Sequence, residues 1–287
     1  MNAWSFRIAG VTIRLESDQV LKVTEEFAPF LEDHPVSRYR GVFHRVDELP
    51  PIPGEVMMED SCHRVHPDGR GGHQRSFFDP PRDLDAYSLV TYDYAGGMID
   101  VPYLEKGSLC VSELSNSFYH LGLEEIMIRE DRLCFHAACV STEYGGLLFA
   151  GPSGIGKSTQ AQLWCDHRNG RLINGDRPIL SLEDGKPIAW GSPYAGSSRC
   201  YRNESCPIRA IVLLKQAESC SVRQLKAAEA ARRIYAGLNV HTWDRLFVTK
   251  ALDLTVELIS RVPVYELSCT PDENAVTILE NVLKEGE

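Results

Sequence analysis

A chain of 287 residues, 43% hydrophobic and 24% charged, has the composition of a folded globular protein large enough for one big domain or two smaller ones. Its formal net charge of -10 weighs against a duplex nucleic-acid binder, which needs a basic face. No apolar run has the length of a membrane span or the character of a signal peptide, and the nine scattered cysteines include no C-x-x-C pair. The expectation is a cytoplasmic protein without a disulfide framework, a membrane anchor or a nucleic-acid partner.

In chain order, Trp4 to Leu15 alternates as a strand pair turning at Gly10. Val20 to Phe27 reads as a further strand, with Phe43 to Val46 able to pair with it. Pro50-Pro-Ile-Pro-Gly54 punctuates the chain, and Met58 to Arg82, polar and rich in histidine and glycine, reads as a long loop or irregular strands. Within it Cys62-His63, with His66 and His73, suggests a metal cluster, although the spacing is irregular and only one cysteine is near. Tyr87 to Tyr94, a turn at Gly96-Gly97, and Met98 to Tyr103 form a hairpin. The expected first domain, residues 1–110, is therefore small and β-rich, and residues 111–287 form the second.

Ser112 to Gly122 and the run through Ile128 read as two short helices, placed as the hinge between the domains. Leu133 to Val140 reads as one apolar strand containing His136. Leu147 to Ala150 is a short buried strand that runs into Gly151-Pro152-Ser153-Gly154-Ile155-Gly156-Lys157-Ser158, followed by a helix from Thr159 to Cys165. Beyond it lie a strand over Arg171 to Asn174, a hairpin around Asp184-Gly185, an apolar strand over Pro207 to Leu214, and a strand over Val222 to Leu225. A helix over Ala227 to Leu238, a second over Ala251 to Ser260, a strand over Val264 to Leu267 and a closing helix over Asn274 to Leu283 complete the chain.

The run from Gly151 to Ser158 matches G-x-x-x-x-G-K-[ST] in the strand–loop–helix context that phosphate binding requires. Its glycines let backbone N–H groups approach phosphate oxygens, and the helix that follows through Thr159 offers free amides and the positive end of its dipole. Lys157 is expected to reach the outer phosphates and the Ser158 hydroxyl to ligate Mg²⁺, so ATP with Mg²⁺ is the expected nucleotide. Asp176, 18 residues beyond Ser158 at a strand end, is the second candidate for the metal and for the proton of an attacking hydroxyl. His136 is either an interior residue or a partner of that acid, and Asn174 and Arg177 flank the acid. The loop from Gly191 to Asn203 carries Arg199 and Arg202, either solvated or available to neutralise phosphate charge, with Arg202 the chosen candidate.

Taken together, Leu133-Cys-Phe-His136, Gly151 to Ser158, Ile173-Asn-Gly-Asp176-Arg-Pro, Gly191-Ser-Pro-Tyr-Ala-Gly196, and Arg202-Asn203 followed by Pro207-Ile-Arg-Ala-Ile211 resemble the HPr kinase/phosphorylase-like superfamily. That family shares its nucleotide fold with phosphoenolpyruvate carboxykinase. The resemblance spans about Glu124 to Gln216. It implies a mixed α/β, or α+β, nucleotide domain behind the small β-rich domain, with a histidine before the P-loop matched by His136. It also implies a pair of acids after the P-loop helix. Here Gly175 stands at the first of those positions and Asp176 at the second, so that either Asp176 serves both roles, or His136 compensates, or activity is reduced, and phosphorylase activity is not carried over. The chain looks closer still to the HPr kinase-related kinases of peptide biosynthetic clusters, some of which phosphorylate a serine on a precursor peptide, including lasso precursors.

The leading expectation is an ATP-dependent serine-type kinase acting on a peptide or small protein, with Asp176, His136, Lys157 and Arg202 as its catalytic set. Self-association is left open. A carboxykinase-like or small-molecule phosphotransferase is one alternative. A non-catalytic nucleotide-binding regulator, favoured by Gly175, is the other.

Overall fold

The structure is a computed structural model that describes residues 1–33 and 36–285. It divides into two compact units, one of Met1–Glu130 with His241–Val248, the other of Asp131–Val240 with Thr249–Glu287. The expected boundary at residue 110 precedes the two short helices, and the compact grouping of the first unit continues through Glu130.

The first unit is an eight-stranded sheet. β1 (Asn2–Ile8) and β2 (Val11–Ser17) pair in antiparallel register across Ala9-Gly10, both with positive φ, as a tight hairpin of this kind demands. β3 is Tyr39–Arg45, β4 Met58–Glu59, β5 His63–Pro67, β6 His73–Asp79, β7 Asp83–Asp93 and β8 Met98–Tyr103. The spatial order is β1-β2-β3-β8-β7-β6-β5-β4. Two expectations change here. Val20 to Phe27 is not a strand; Val20 and Val23 are exposed, and only Lys22 makes an isolated bridge, to Glu113. β3 instead lies parallel to both β2 and β8, so its partners come from distant sequence. Met58 to Arg82 is largely strand: alternate burial of His63, Val65, Arg75 and Phe77 was masked in the sequence by their polar or charged neighbours.

Two helices follow, α1 (Leu114–Leu121) and α2 (Leu123–Arg129), separated by Gly122 at φ +68. Phe118 of α1 stacks on Phe27 at 4.3 Å and meets Phe6 edge-on at 4.9 Å. Such pairs add about 0.5–1.5 kcal/mol each beyond their burial. Glu125 of α2 is fully buried and satisfied by charge and hydrogen bonds. Arg75 pairs with it, Tyr94 donates to it, His73 lies at 3.3 Å and His241 at 2.9 Å. Burial alone would raise this carboxyl, but the Arg75 charge and the histidine hydrogen bonds hold it well below the usual carboxylate range.

The second unit is a nine-stranded mixed sheet with helices. Its strands are β9 (Arg132–Cys134), β10 (Ala137–Thr142), β11 (Gly145–Ala150), β12 (Arg171–Asn174), β13 (Ile179–Glu183), β14 (Lys186–Trp190), β15 (Ser205–Gln216), β16 (Ser221–Gln224) and β17 (Val264–Cys269). The order is β12-β10-β11-β15-β14-β13-β9, with β17 also beside β15 and β16 beside β17. β15 runs parallel to β11 and β17; the other pairings are antiparallel. The helices are α3 (Lys157–Arg168), α4 (Ala227–Tyr235), α5 (Arg245–Arg261), whose first turn belongs to the other unit, and α6 (Glu273–Glu285). Strand alternation sends Val140, Leu147, Phe149 and Val212 to one face, where Ala161 and Trp164 of α3 and Val276 and Leu279 of α6 close a core. The single strand expected over Leu133 to Val140 is two strands. β9 pairs with β13 while β10 pairs with β11 and β12, and Phe135-His136 is the break between them.

Candidate functional site

Strand direction decides which residues meet. β10 is antiparallel to both β11 and β12: Ala137 faces Ala150, and Cys139 faces Asn174. The start of β10, the end of β11 and the end of β12 therefore share one end of the sheet. His136 precedes the first, the Gly151–Gly156 loop follows the second, and Gly175-Asp176 follow the third. Three stretches remote in sequence arrive together because of pairing register alone.

The loop between β11 and α3 turns through Gly151, Gly154 and Gly156, all with positive φ. A side chain at Gly154 or Gly156 would meet nothing within 4 Å, so it is backbone conformation and not space that calls for glycine there. The first bond inside the turn of α3 runs from the Gln160 amide to the Gly156 carbonyl, which leaves the preceding amides of Lys157, Ser158 and Thr159 at the helix start. Lys157 is buried. Its Nζ donates to the carbonyls of Gly151 at 3.1 Å and Pro152 at 3.2 Å, so the amine curls back over the loop. Burial pulls its pKa down, against the pull of the Asp176 charge upward. The Ser158 hydroxyl donates to the Gly175 carbonyl at 3.4 Å, beside Asp176 in the chain.

Asp176 is held by its backbone. Asn174, fully buried, accepts from the amides of Asp176 at 2.9 Å and Arg177 at 2.7 Å through Oδ1. Its Nδ2 donates to the Ser192 carbonyl at 3.2 Å, and the Ser192 hydroxyl donates to the Arg177 carbonyl at 2.6 Å. The Asp176 carbonyl accepts from the Ala137 amide at 2.9 Å, tying the acid to the start of β10. The half-buried carboxylate then faces His136, whose Nε2 is 3.2 Å from Oδ1, while Arg177 Nε is 3.9 Å from Oδ2. Burial, then the Lys157 charge, lower the pKa of His136, with Asp176 opposing, so its imidazole is neutral near pH 7.

Gly175, just before the acid, has no room for a side chain. A Cβ there would lie 2.1 Å from the Ser198 hydroxyl and 2.4 Å from Ser198 Cβ. Gly196, at φ +54, lies against Asp176 in the same way: its Cβ would come within 2.9 Å of Asp176 Cβ. The loop after β14 thus packs directly on the acid.

Of the residues singled out from the sequence, His136, Lys157, Ser158 and Asp176 come together with the Gly151–Gly156 loop. The Arg202 guanidinium lies 3.6 Å from Glu204. Sequence reasoning missed the bracing role of Ser192 and a recess of about 300 Å³ beside His136, lined by Cys134, His136, Arg177 and the 236–239 turn after α4. No local pattern marks that turn. The metal cluster suggested around Cys62 does not include His66, which bonds Ser76 at 2.8 Å and the Glu55 carbonyl at 2.8 Å, or His73, which faces Glu125. The donor atoms of His73, Glu125 and Asp244 lie close enough together to hold a cation, but Arg75 already pairs with Glu125, and Arg129 with Asp244 at 2.5 Å.

No family model matches the chain, and no curated protein matches it. Among solved structures it is similar to the Hpr(Ser) kinase/phosphatase from Coxiella burnetii, with 17% sequence identity, a TM-score of 0.34, and coverage of 54% of this chain and 99% of that one. Among the described residues, no helix is long and apolar enough to cross a membrane.

Proposed function

We propose that the chain is an ATP-dependent phosphotransferase, working in the cytoplasm, that moves the γ-phosphoryl group to a serine-type hydroxyl of a peptide or small protein. The observation that carries this reading is the His136 imidazole 3.2 Å from Asp176, at the same sheet end as the glycine loop and Lys157. An acid held by Asn174 and the Ala137 amide, oriented by a histidine, is suited to accept the acceptor's proton as the hydroxyl oxygen attacks phosphorus. The bond to the β-phosphate oxygen breaks in that step, and the negative charge leaves on the diphosphate. Lys157 and the amides at the start of α3 stabilise that charge, and the glycine loop orients the phosphates.

The donors on offer to Mg²⁺ are the Ser158 hydroxyl, which reaches the Gly175 carbonyl, and the carboxylate of the next residue, Asp176. Ser158 and Asp176 would hold the ion, which neutralises phosphate charge when bound. The recess beside His136 and Arg177 is open to an acceptor side chain.

The test is phosphotransfer from ATP to candidate serine peptides, followed by mass spectrometry, for the native protein and Lys157→Ala. Transfer by the native chain and its loss in the variant, with unchanged circular dichroism, supports the reading. Undiminished transfer by the variant removes it. The packing of Ser198 into the space beside Gly175 favours one second reading, a nucleotide-binding regulator. It would appear as ATP binding without turnover on any acceptor.

A further inference from the structure

The turn between β4 and β5 carries a donor set that the proposed phosphotransfer does not use. Asp60, Cys62 and His63 place a carboxylate oxygen, a thiol sulfur and an imidazole nitrogen all within 4.8 Å of one another. The turn is rigid at its root. Asp60 Oδ1 accepts from the amides of Cys62 at 2.8 Å and His63 at 2.9 Å, and the Asp60 amide donates to the His63 carbonyl at 3.0 Å. Oδ2 is thereby left facing the cluster, 2.9 Å from His63 Nδ1.

Tyr119 of α1 supplies a fourth vertex. Its hydroxyl lies 3.0 Å from His63 Nδ1, 3.3 Å from Cys62 Sγ and 3.4 Å from Asp60 Oδ2. Zinc bonds of about 2.0–2.3 Å in a tetrahedron require donor–donor edges of about 3.3–3.8 Å. The four edges among Asp60 Oδ2, His63 Nδ1, Cys62 Sγ and the Tyr119 hydroxyl that are hydrogen-bond or ion-pair contacts, 2.9–3.4 Å, lie within a few tenths of an ångström of that range, and the two from Cys62 to Asp60 and His63 are within 4.8 Å.

His63 is 5% exposed and stacks on Phe77. Its Nε2 has no hydrogen-bond partner among the described residues and would carry the ring proton with a cation on Nδ1. All its polar contacts are made through Nδ1, which points into the cluster. Burial, reinforced by Arg75, pulls its pKa down to about 4, so the ring is a neutral ligand at physiological pH. Burial pushes the Cys62 thiol up, which disfavours a thiolate nucleophile in the absence of a cation.

We propose that Asp60, Cys62 and His63, with the Tyr119 hydroxyl at the fourth vertex, form a binding site for a zinc-class divalent cation that clips the β4–β5 turn to α1. The ligand chemistry is one thiolate, one imidazole and one carboxylate, a set that selects a borderline-soft metal over Mg²⁺ or Ca²⁺. Binding releases the Cys62 proton to solvent, with no change of oxidation state.

The full chain, reduced and stripped with a chelator, should take up one equivalent of Zn²⁺ against a chromophoric competitor. Co²⁺ should give a thiolate-to-cobalt charge-transfer band. Oxygen-only sites, including Ser158 with Asp176, cannot produce that band. Cys62→Ser should abolish it, and both Cys62→Ser and Asp60→Asn should weaken Zn²⁺ binding at least about tenfold. Both residues are partly solvent-exposed, and circular dichroism checks that each variant is folded. No stoichiometric uptake by the native chain overturns the proposal. So does a cobalt band that survives in folded Cys62→Ser, which would assign the metal to another cysteine. Neither result bears on phosphotransfer.

Discussion

His136 Nε2 stands 3.2 Å from Asp176 Oδ1, and the two are joined a second time through the backbone, where the amide of Ala137 donates to the carbonyl of Asp176 at 2.9 Å. The backbone on which His136 is carried is therefore tied to the backbone of the acid at the start of β10. Its position in a strand break, not within a strand, is what turns an otherwise apolar stretch toward this acid.

If Asp176 takes the acceptor's proton, Asp176→Asn lowers kcat by about 10²–10⁴-fold with little change in melting temperature. His136→Asn gives a smaller loss and a changed pH profile. The native imidazole has a pKa below the ordinary histidine value of 6.5, so the native rate falls as pH drops below that range and the ring protonates. In His136→Asn that inflection is absent. Rate profiles between pH 5 and 8, a window of about three units around the ordinary histidine value, check this; an identical acid limb in both proteins counts against a role for His136.

Placing an acid at position 175 is expected to fail in isolation. Gly175→Asp drives its Cβ into Ser198, 2.1 Å from the hydroxyl, and costs about 1–3 kcal/mol by overpacking. Combining it with Ser198→Gly removes the clash and recovers most of the loss. Urea denaturation of the two variants measures the difference. Equal destabilisation of both shows that Ser198 is not the obstacle.

Gly196→Ala separates geometry from stability. Its φ of +54 costs an alanine about 1–2 kcal/mol. The new methyl also meets Asp176 Cβ at 2.9 Å, so the acid shifts. Activity is expected to fall by more than the stability loss accounts for, with kcat affected more than the KM for ATP. Steady-state kinetics at a temperature where the variant is fully folded decide the matter.

Glu125 anchors the first unit through buried charge. Glu125→Gln leaves Arg75 without its counter-charge and costs about 3–5 kcal/mol. The native carboxyl sits well below its unfolded value of 4.5, so its contribution is present above pH 4.5 and is lost as pH falls through the folded pKa. His241 behaves oppositely. Burial lowers its pKa, but the hydrogen bonds it donates to Glu124 and Glu125 more than offset this and raise it above 6.5. Its contribution is therefore complete below 6.5 and fades as pH rises through the raised value. Thermal melts from acid to mildly alkaline pH should show both flanks in the native protein. A Glu125→Gln variant as stable as the native chain, with the same acid flank, contradicts the assignment.

The amino-acid sequence by itself determined most of the elements, because each rests on local signals. The hairpin at Gly10, the glycine loop with its flanking strand and helix, and the helix of α6 follow from alternation, from residues able to adopt positive φ, and from helical spacing. It also singled out His136, Lys157, Ser158 and Asp176 as chemically able residues. Tertiary structure decided the rest. The parallel placement of β3 between β2 and β8, and the strand break at His136, depend on which distant edges are free to pair. For Arg202 the local sequence names a candidate, and only the fold sets its guanidinium 3.6 Å from Glu204. Asp60, Cys62 and His63 meet Tyr119 only because the β4–β5 turn reaches α1 more than fifty residues away in sequence. Hydrogen-bond registers and side-chain packing are pairwise properties of remote segments, and no single stretch of the chain contains both partners.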